Sequence, residues 1–155
     1  MDTQDRLEAL VRLAIVQAEH AAAAGNPPFG AVLTDETGQI VVQAGNTQAT
    51  SCDPTAHAEI NALRAGGAIR RSPSLAGWRI YVNAEPCSMC LSAIVKAGIV
   101  ELVYGAPHES HLDPYLPAAD VLARASSPPA VIGGILADEA VAQIRAARAT
   151  TEPLD

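Results

Sequence analysis

Two short segments rich in metal-binding side chains constrain this sequence more than any other feature. The first places His57 two residues before Glu59, and the second places Cys87 three residues before Cys90, directly after Pro86. Each segment falls at the start of a predicted helix, where residues three apart share one face. The positive end of the helix dipole stabilises a thiolate there and lowers the pKa of the thiol. The sequence therefore predicts a metal centre at two helix N-termini.

The residue types suit a catalytic zinc ion. His57 supplies an imidazole, and Cys87 and Cys90 supply thiolates, so three protein ligands leave one tetrahedral position for water. Water at such a position has a pKa of about 7, which makes hydroxide available at neutral pH. Glu59 is then placed to carry protons between this water, a ring nitrogen and a leaving amine. The alternative is a closed structural zinc site with Cys52 as the fourth ligand.

The two segments together favour the catalytic interpretation. A C-x-x-C pair alone is more typical of a structural zinc site. H-x-E upstream, with proline directly before the first cysteine, is the signature of zinc-dependent nucleobase deaminases, in which the glutamate is a general acid and base and not a ligand. The structural alternative leaves Glu59 without a role.

The order of predicted elements is that of a layered α/β domain. Helical spacing of apolar residues predicts a first helix over residues 3–24, and Asp53 with Pro54 predicts a second that ends near Ala65, before Gly66. Strands are predicted over 31–34, 39–43, 78–83, 99–104 and 130–135, a polar loop over 45–52, and further helices over 87–97 and 138–148. This alternation predicts a mixed sheet with helices on both faces, in a single domain spanning residues 1–155.

Charge and cysteine content limit the partners and the compartment. Seventeen acidic and ten basic residues give a net charge of −7, and Lys96 is the only lysine. Nucleic-acid surfaces need clustered basic side chains, so the charge argues against nucleic acid as a partner. The sequence has no apolar run long enough for a membrane span and no basic start of a signal peptide. Three cysteines, two of them at metal-ligand spacing, favour a reducing, cytoplasmic setting.

Further segments resemble the cytidine/deoxycytidylate deaminase superfamily, which includes guanine, cytosine and tRNA adenosine deaminases. They are P-F-G-A-V at 28–32, G-N at 45–46, D-P-T-A-H-A-E at 53–59, E-P-C-S-M-C at 85–90 and G-I-L-A-D-E at 134–139. The resemblance implies a three-layer fold with a five-stranded mixed sheet flanked by helices, a zinc cofactor and a homodimer. It also implies that Asn46 and the backbone N–H of Ala58 bind the substrate. The alternative for Asn46 is a turn residue.

Two further positions are candidates for the substrate pocket. Phe29, the only phenylalanine, either packs in the core or stacks on a flat heterocycle. Phenylalanine at this position resembles the free-base deaminases more than the tRNA enzymes, where a small aliphatic residue is usual. Asp113 lies in a segment over 107–129 rich in Pro, Ser and Ala, where related deaminases place pocket-closing residues. His108 and His111, in the same segment, are interpreted as exposed loop histidines.

Three functions follow from these observations. The first is hydrolytic deamination of a small molecule, a free nucleobase or nucleoside of guanine or cytosine type, which the net negative charge favours. The second is conversion of adenosine to inosine in tRNA, which the segments 53–62 and 134–139 favour. The third is a binding module stabilised by zinc, the weakest of the three because Glu59 then has no role.

Overall fold

A five-stranded sheet forms the centre of the part of the chain that the computed structural model describes, residues 2–108 and 118–150. The strands are β1 (Gly30–Thr34), β2 (Ile40–Gly45), β3 (Arg79–Ala84), β4 (Glu101–Ala106) and β5 (Ala130–Ile132). They lie in the order β2-β1-β3-β4-β5. Strand β1 is antiparallel to β2 and β3, whereas β3, β4 and β5 are parallel. The predicted mixed sheet is confirmed.

Helices cover both faces of this sheet. They are α1 (Thr3–Ala23), α2 (Gln48–Ser51), α3 (Ala58–Arg70), α4 (Ser88–Ala97), α5 (Ala118–Arg124) and α6 (Ala137–Ala149). Because successive strand residues point to opposite faces, Leu33 and Ile80 pack with α3, α4 and α5, whereas Val32 and Tyr81 pack with α1 and α6. The predicted three-layer fold is confirmed. None of the helices within the described ranges is long and apolar enough to cross a membrane.

The second predicted helix is shifted along the chain. It begins at Ala58, because the Asp53 carboxylate accepts hydrogen bonds from the Thr55 backbone N–H and hydroxyl, at 2.8 and 2.7 Å, and holds the preceding residues in a turn. It continues to Arg70, beyond the predicted end before Gly66. A Cβ atom on Gly66 would lie 2.8 Å from Leu33 Cδ1. This glycine therefore permits close approach of α3 to the sheet and does not end the helix.

Two other boundaries differ from the sequence prediction. The short helix α2 lies in the predicted loop over residues 45–52. Strand β5 ends at Ile132, short of residue 135, and two residues later Gly134 has a φ of +81°. Glycine adopts this left-handed backbone conformation readily, so the chain turns there from the sheet into α6.

Candidate active site

The ends of four strands meet at one edge of the sheet. Strands β3 and β4 are parallel and both end there, with Ala84 paired to Ala106. Strand β1 runs in the opposite direction, so its first residue, Gly30, lies at this edge beside Gly45, the last residue of β2. The segments that follow β2, β3 and β4, and the segment that precedes β1, therefore converge.

Three metal-binding side chains meet at this edge. His57 and Cys87 are the N-caps of α3 and α4, and Cys90 lies in the first turn of α4. His57 Nδ1 lies 3.3 Å from Cys90 Sγ and 3.6 Å from Cys87 Sγ. The three ligand atoms lie within 4.8 Å of one another. Tetrahedral zinc, with bonds of ~2.3 Å to sulfur and ~2.0 Å to nitrogen, separates such ligand atoms by about 3.5 Å, so the residues fit this metal.

Cys52 is not a member of this group. Its side chain is exposed, and its Sγ lies 3.8 Å from Ala49 O of the short helix α2, which Cys52 caps. A closed structural site with Cys52 as the fourth ligand therefore has no support in the structure. The three ligands that do converge are those of an open site.

The two clustered thiols have opposite pKa shifts. A hydrogen bond with Cys90, aided by one with His57, lowers the pKa of Cys87 to about 3. The same hydrogen bond with Cys87, together with burial, raises the pKa of Cys90. Cys87 is therefore the thiol of the pair that ionises more readily. The thiolate is the form that binds a metal cation.

Glu59 lies beside the three candidate ligands. Its side chain is only 6% exposed. Burial raises the pKa of Glu59, opposed by a hydrogen bond with Cys90 and by the positive charge of His57. A carboxyl group with a raised pKa binds and releases a proton closer to neutral pH than an exposed one, as a proton carrier must.

A cavity of about 350 Å³ opens over this group. It is lined by Phe29 and Asn46 as well as by His57, Glu59 and Cys87, so the structure brings these five predicted residues together. The volume is in the range of small-molecule pockets. The geometry can therefore hold a flat heterocycle over a metal centre and a buried carboxyl group.

The structure shows the surroundings of three of the residues singled out from the sequence, Phe29, Ala58 and His108. Phe29 is half-buried and contacts both halves of the core, and it also lines the cavity. Its packing in the core is observed, and its stacking on a heterocycle stays a prediction. Ala58 is fully buried in the core, and its N–H belongs to the first turn of α3, whose N–H groups lack partners within the helix. His108, interpreted as an exposed loop residue, is half-buried and lines the cavity. Asp113 lies outside the described residues.

Several residues that line the cavity were not predicted from the sequence. Three of them, Val141, Ile144 and Arg148, lie on α6. Gln48 and Glu85 also line the cavity, and the Glu85 carboxylate accepts a hydrogen bond from the backbone N–H of His108 at 3.0 Å. The only signal in the sequence was the amphipathic pattern of α6, which does not separate side chains facing a pocket from those facing a core.

Comparison with known proteins shows similarity to several deaminases. A tRNA-specific adenosine deaminase from Haemophilus influenzae is 42% identical over 64% of this chain and 57% of its own length, so the match spans little more than half of that relative. A solved structure from studies of A-to-I editing by tRNA:A34 deaminases is 31% identical, covers 87% of this chain and 98% of its own, and has a TM-score of 0.77. A guanine deaminase structure from Nitrosomonas europaea is 26% identical over 92% of this chain and 84% of its own, with a TM-score of 0.80.

A family model covers the part of the chain that carries the metal ligands. Residues 4–106 match the cytidine and deoxycytidylate deaminase zinc-binding region. His57, Glu59, Cys87 and Cys90 all lie inside this segment, together with Asn46. The chain therefore belongs to the cytidine and deoxycytidylate deaminase zinc-binding family.

Proposed function

We propose that this chain hydrolyses the bond between a nucleobase ring carbon and its exocyclic amine, with release of ammonia. The observation that carries the proposal is the position of Glu59, a buried carboxyl group that shares the cavity with His57 and Cys87. Zinc held by His57, Cys87 and Cys90 supplies an activated water when bound. A structural zinc site has no use for a carboxyl group in this place.

The side chains of the cavity divide the work of the reaction. Glu59 accepts a proton as the water oxygen bonds to the ring carbon, and donates it to the adjacent ring nitrogen. It then accepts the second proton from the hydroxyl now on that carbon and donates it to the amine, which leaves as ammonia when the carbon–nitrogen bond breaks. Asn46 orients the heterocycle through its carboxamide, with the Ala58 N–H as a second polar contact. Phe29 packs against the face of the ring. Burial of the carboxyl group keeps bulk water away from the proton transfer.

The leading substrate that we propose is the adenosine at the wobble position of tRNA. Support comes from the 42% identity to the Haemophilus influenzae enzyme and from the match to 98% of a chain studied for editing by tRNA:A34 deaminases. This order differs from the expectation based on charge, which ranked a small molecule first. Net charge describes the whole surface, whereas an RNA needs only a local set of contacts around one base.

A free nucleobase is the second candidate substrate. Phe29 lines the cavity as a flat base would require. The match to the guanine deaminase from Nitrosomonas europaea extends over 92% of this chain, and the net charge of −7 favours a small ligand. Asp113, which lies outside the described residues, stays a proposed contact for either substrate.

An ammonia-release panel tests both the reaction and the substrate. Zinc-loaded protein is given a tRNA anticodon stem-loop with adenosine at the wobble position, then guanine, cytosine, adenine and their nucleosides. We expect release from the stem-loop, with inosine appearing in the product, and loss of release by about 10²- to 10⁴-fold in Glu59→Gln. The variant should retain its zinc. Absence of release from every substrate by zinc-loaded wild type would overturn the proposal.

The Phe29 side chain offers a further comparison between the two candidates. Phe29→Val removes the aromatic face but keeps an apolar side chain. If free bases are the substrates, we expect their KM to rise by about 10-fold or more, since stacking on an aromatic ring contributes about 1–3 kcal/mol per base. The homodimer and the cytoplasmic location stay predictions. Light scattering on purified protein tests the first.

A further inference from the structure

The Asn46 carboxamide is held in one fixed orientation. The side chain is 2% exposed and lines the cavity. Its backbone N–H donates to Phe29 O at 3.0 Å. Asn61 on α3 donates to Gly45 O and to Thr47 Oγ1, both at 2.9 Å, and so fixes the residues on either side of Asn46. The backbone therefore sets the position of the Asn46 side chain. It does not determine which of two carboxamide orientations, related by a half-turn that exchanges Oδ1 and Nδ2, is adopted.

Gln48 selects one of these two orientations of the Asn46 carboxamide. Its backbone N–H donates to Asn46 Oδ1 at 2.8 Å, and its side-chain Oε1 accepts from Asn46 Nδ2 at 2.7 Å. Rotating the Asn46 carboxamide by half a turn would place a donor against a donor and an acceptor against an acceptor. Both hydrogen bonds therefore select the same orientation.

The orientation of Gln48 is set in turn by the start of the H-x-E segment. Gln48 Nε2 donates to Pro54 O at 3.2 Å, which directs Oε1 toward Asn46. Pro54 lies in the turn that the Asp53 carboxylate stabilises. Hydrogen bonds therefore link Pro54, Gln48 and Asn46, and connect this turn to the lining of the cavity.

We infer that Gln48 is a specificity-determining residue that positions Asn46, an inference that rests on the proposed function. With one Nδ2 hydrogen and one Oδ1 lone pair engaged by Gln48, Asn46 keeps one donor and one acceptor for a ligand. Because the carboxamide cannot rotate without losing two hydrogen bonds, it distinguishes heterocycles whose donor and acceptor positions are exchanged. Gln48 lies in the segment that the sequence predicts as a loop, and the sequence pattern indicates no part for it in ligand binding.

Two purines provide suitable probes. At ring positions 1 and 6, 8-azaguanine presents an N–H donor and a carbonyl acceptor, whereas 2,6-diaminopurine presents a ring-nitrogen acceptor and an amine donor. Their Kd values are measured by calorimetry on zinc-loaded protein in a Glu59→Gln background, so that neither probe is consumed. The comparison is between Gln48→Met, which keeps the size of the side chain and the backbone N–H but removes the side-chain hydrogen bonds to Asn46 and Pro54, and Gln43→Met on the exposed face of β2.

We expect Gln48→Met to change the ratio of the two Kd values toward one by about 3- to 10-fold, the effect of losing one net hydrogen bond to the Asn46 carboxamide. Melting temperature and zinc content should match those of the Gln43→Met control. An unchanged ratio overturns the inference, as does equal weakening of both probes with a lower melting temperature, which would indicate a merely structural role. Failure of both probes to bind overturns it as well. Failure of the proposed function is seen separately, as absence of ammonia release by the protein with Glu59 intact.

Discussion

Asn83 Nδ2 donates a hydrogen bond to Gln143 Oε1 at 2.9 Å and thereby joins strand β3 to helix α6. The same carboxamide donates to Pro28 O and accepts from the Gly30 N–H, both at 3.0 Å. Pro28 and Gly30 flank Phe29, so one side chain that is 1% exposed fixes the aromatic residue of the cavity from both sides. Three elements that enclose the cavity depend on this residue.

Replacement of Asn83 by leucine should lower the free energy of unfolding by about 2–4 kcal/mol. The change leaves the Gly30 N–H and the Pro28 carbonyl buried without a partner, and each unpaired buried group costs about 1–3 kcal/mol. Urea unfolding of zinc-loaded protein measures the effect. Gln4→Ala, which removes the exposed hydrogen bond to Glu8, should change the same quantity by less than about 0.5 kcal/mol. Equal effects of the two variants would contradict the prediction.

Glu59→Gln should stabilise the zinc-stripped protein at high pH. Burial raises the pKa of Glu59 in the folded chain. The folded protein then binds this proton more tightly than the unfolded chain, so stability is lost as pH rises from 4.5 through the raised pKa. Glutamine does not ionise, so the Glu59→Gln variant avoids this loss of folding stability, which amounts to about 1.4 kcal/mol for each unit of pKa shift.

Urea unfolding of both proteins from pH 4.5 to pH 8, after chelation of zinc, measures this difference. The variant should be the more stable at pH 8, and the advantage should shrink toward pH 4.5. Chelation is needed because a bound cation favours the carboxylate. An advantage independent of pH would show that Glu59 is not held at a raised pKa.

Removal of one metal ligand should release zinc, whereas removal of the exposed thiol should not. Mutation of a residue that contacts a metal ligand, without binding the metal itself, lowers metal affinity by about 10- to 100-fold. Loss of a ligand has a larger effect, so Cys90→Ala should lower zinc affinity by more than about 100-fold. Competition with a chromogenic chelator measures the affinity. Cys52→Ala should keep one zinc ion per chain. Loss of zinc from the Cys52→Ala variant would contradict this prediction and would support a structural site with Cys52 as the fourth ligand.

Gly66→Ala should destabilise the protein although alanine favours helices. The added methyl group would lie 2.8 Å from Leu33 Cδ1 and 3.2 Å from both Leu75 Cδ1 and Trp78 Cζ3. Overpacking of this kind costs about 1–3 kcal/mol. Gly67→Ala is the matched control, since its methyl group would lie 3.3 Å from Ser72 O, a tight contact that offsets part of the gain of up to about 1 kcal/mol in helix propensity. Thermal unfolding should give a lower melting temperature for Gly66→Ala than for Gly67→Ala.

The metal centre was predictable because its chemistry is local in sequence. His57, Cys87 and Cys90 have few other uses at this spacing, and Glu59 beside them narrows the choice to a catalytic site. The sheet followed from alternating apolar segments for a similar reason. Each of these features is visible in a window of a few residues.

The features that escaped prediction depend on contacts that form only when the chain is folded. Gly66 reads locally as the end of a helix, and its packing against Leu33 becomes visible only when α3 lies on the sheet. Gln48 reads as a loop residue, because its hydrogen bonds to Asn46 and Pro54 depend on the turn between them. Ile144 serves the core and the cavity at once, which no periodicity reveals.

Helix α6 contributes Val141, Ile144 and Arg148 to the cavity, and all three lie beyond residue 106, where the family match ends. The metal ligands and Glu59 lie before it. One part of the cavity lining therefore lies in a stretch of the chain separate from the residues that hold the metal and carry the proton. Substitutions in α6 can change the shape of the cavity without altering His57, Glu59, Cys87 or Cys90.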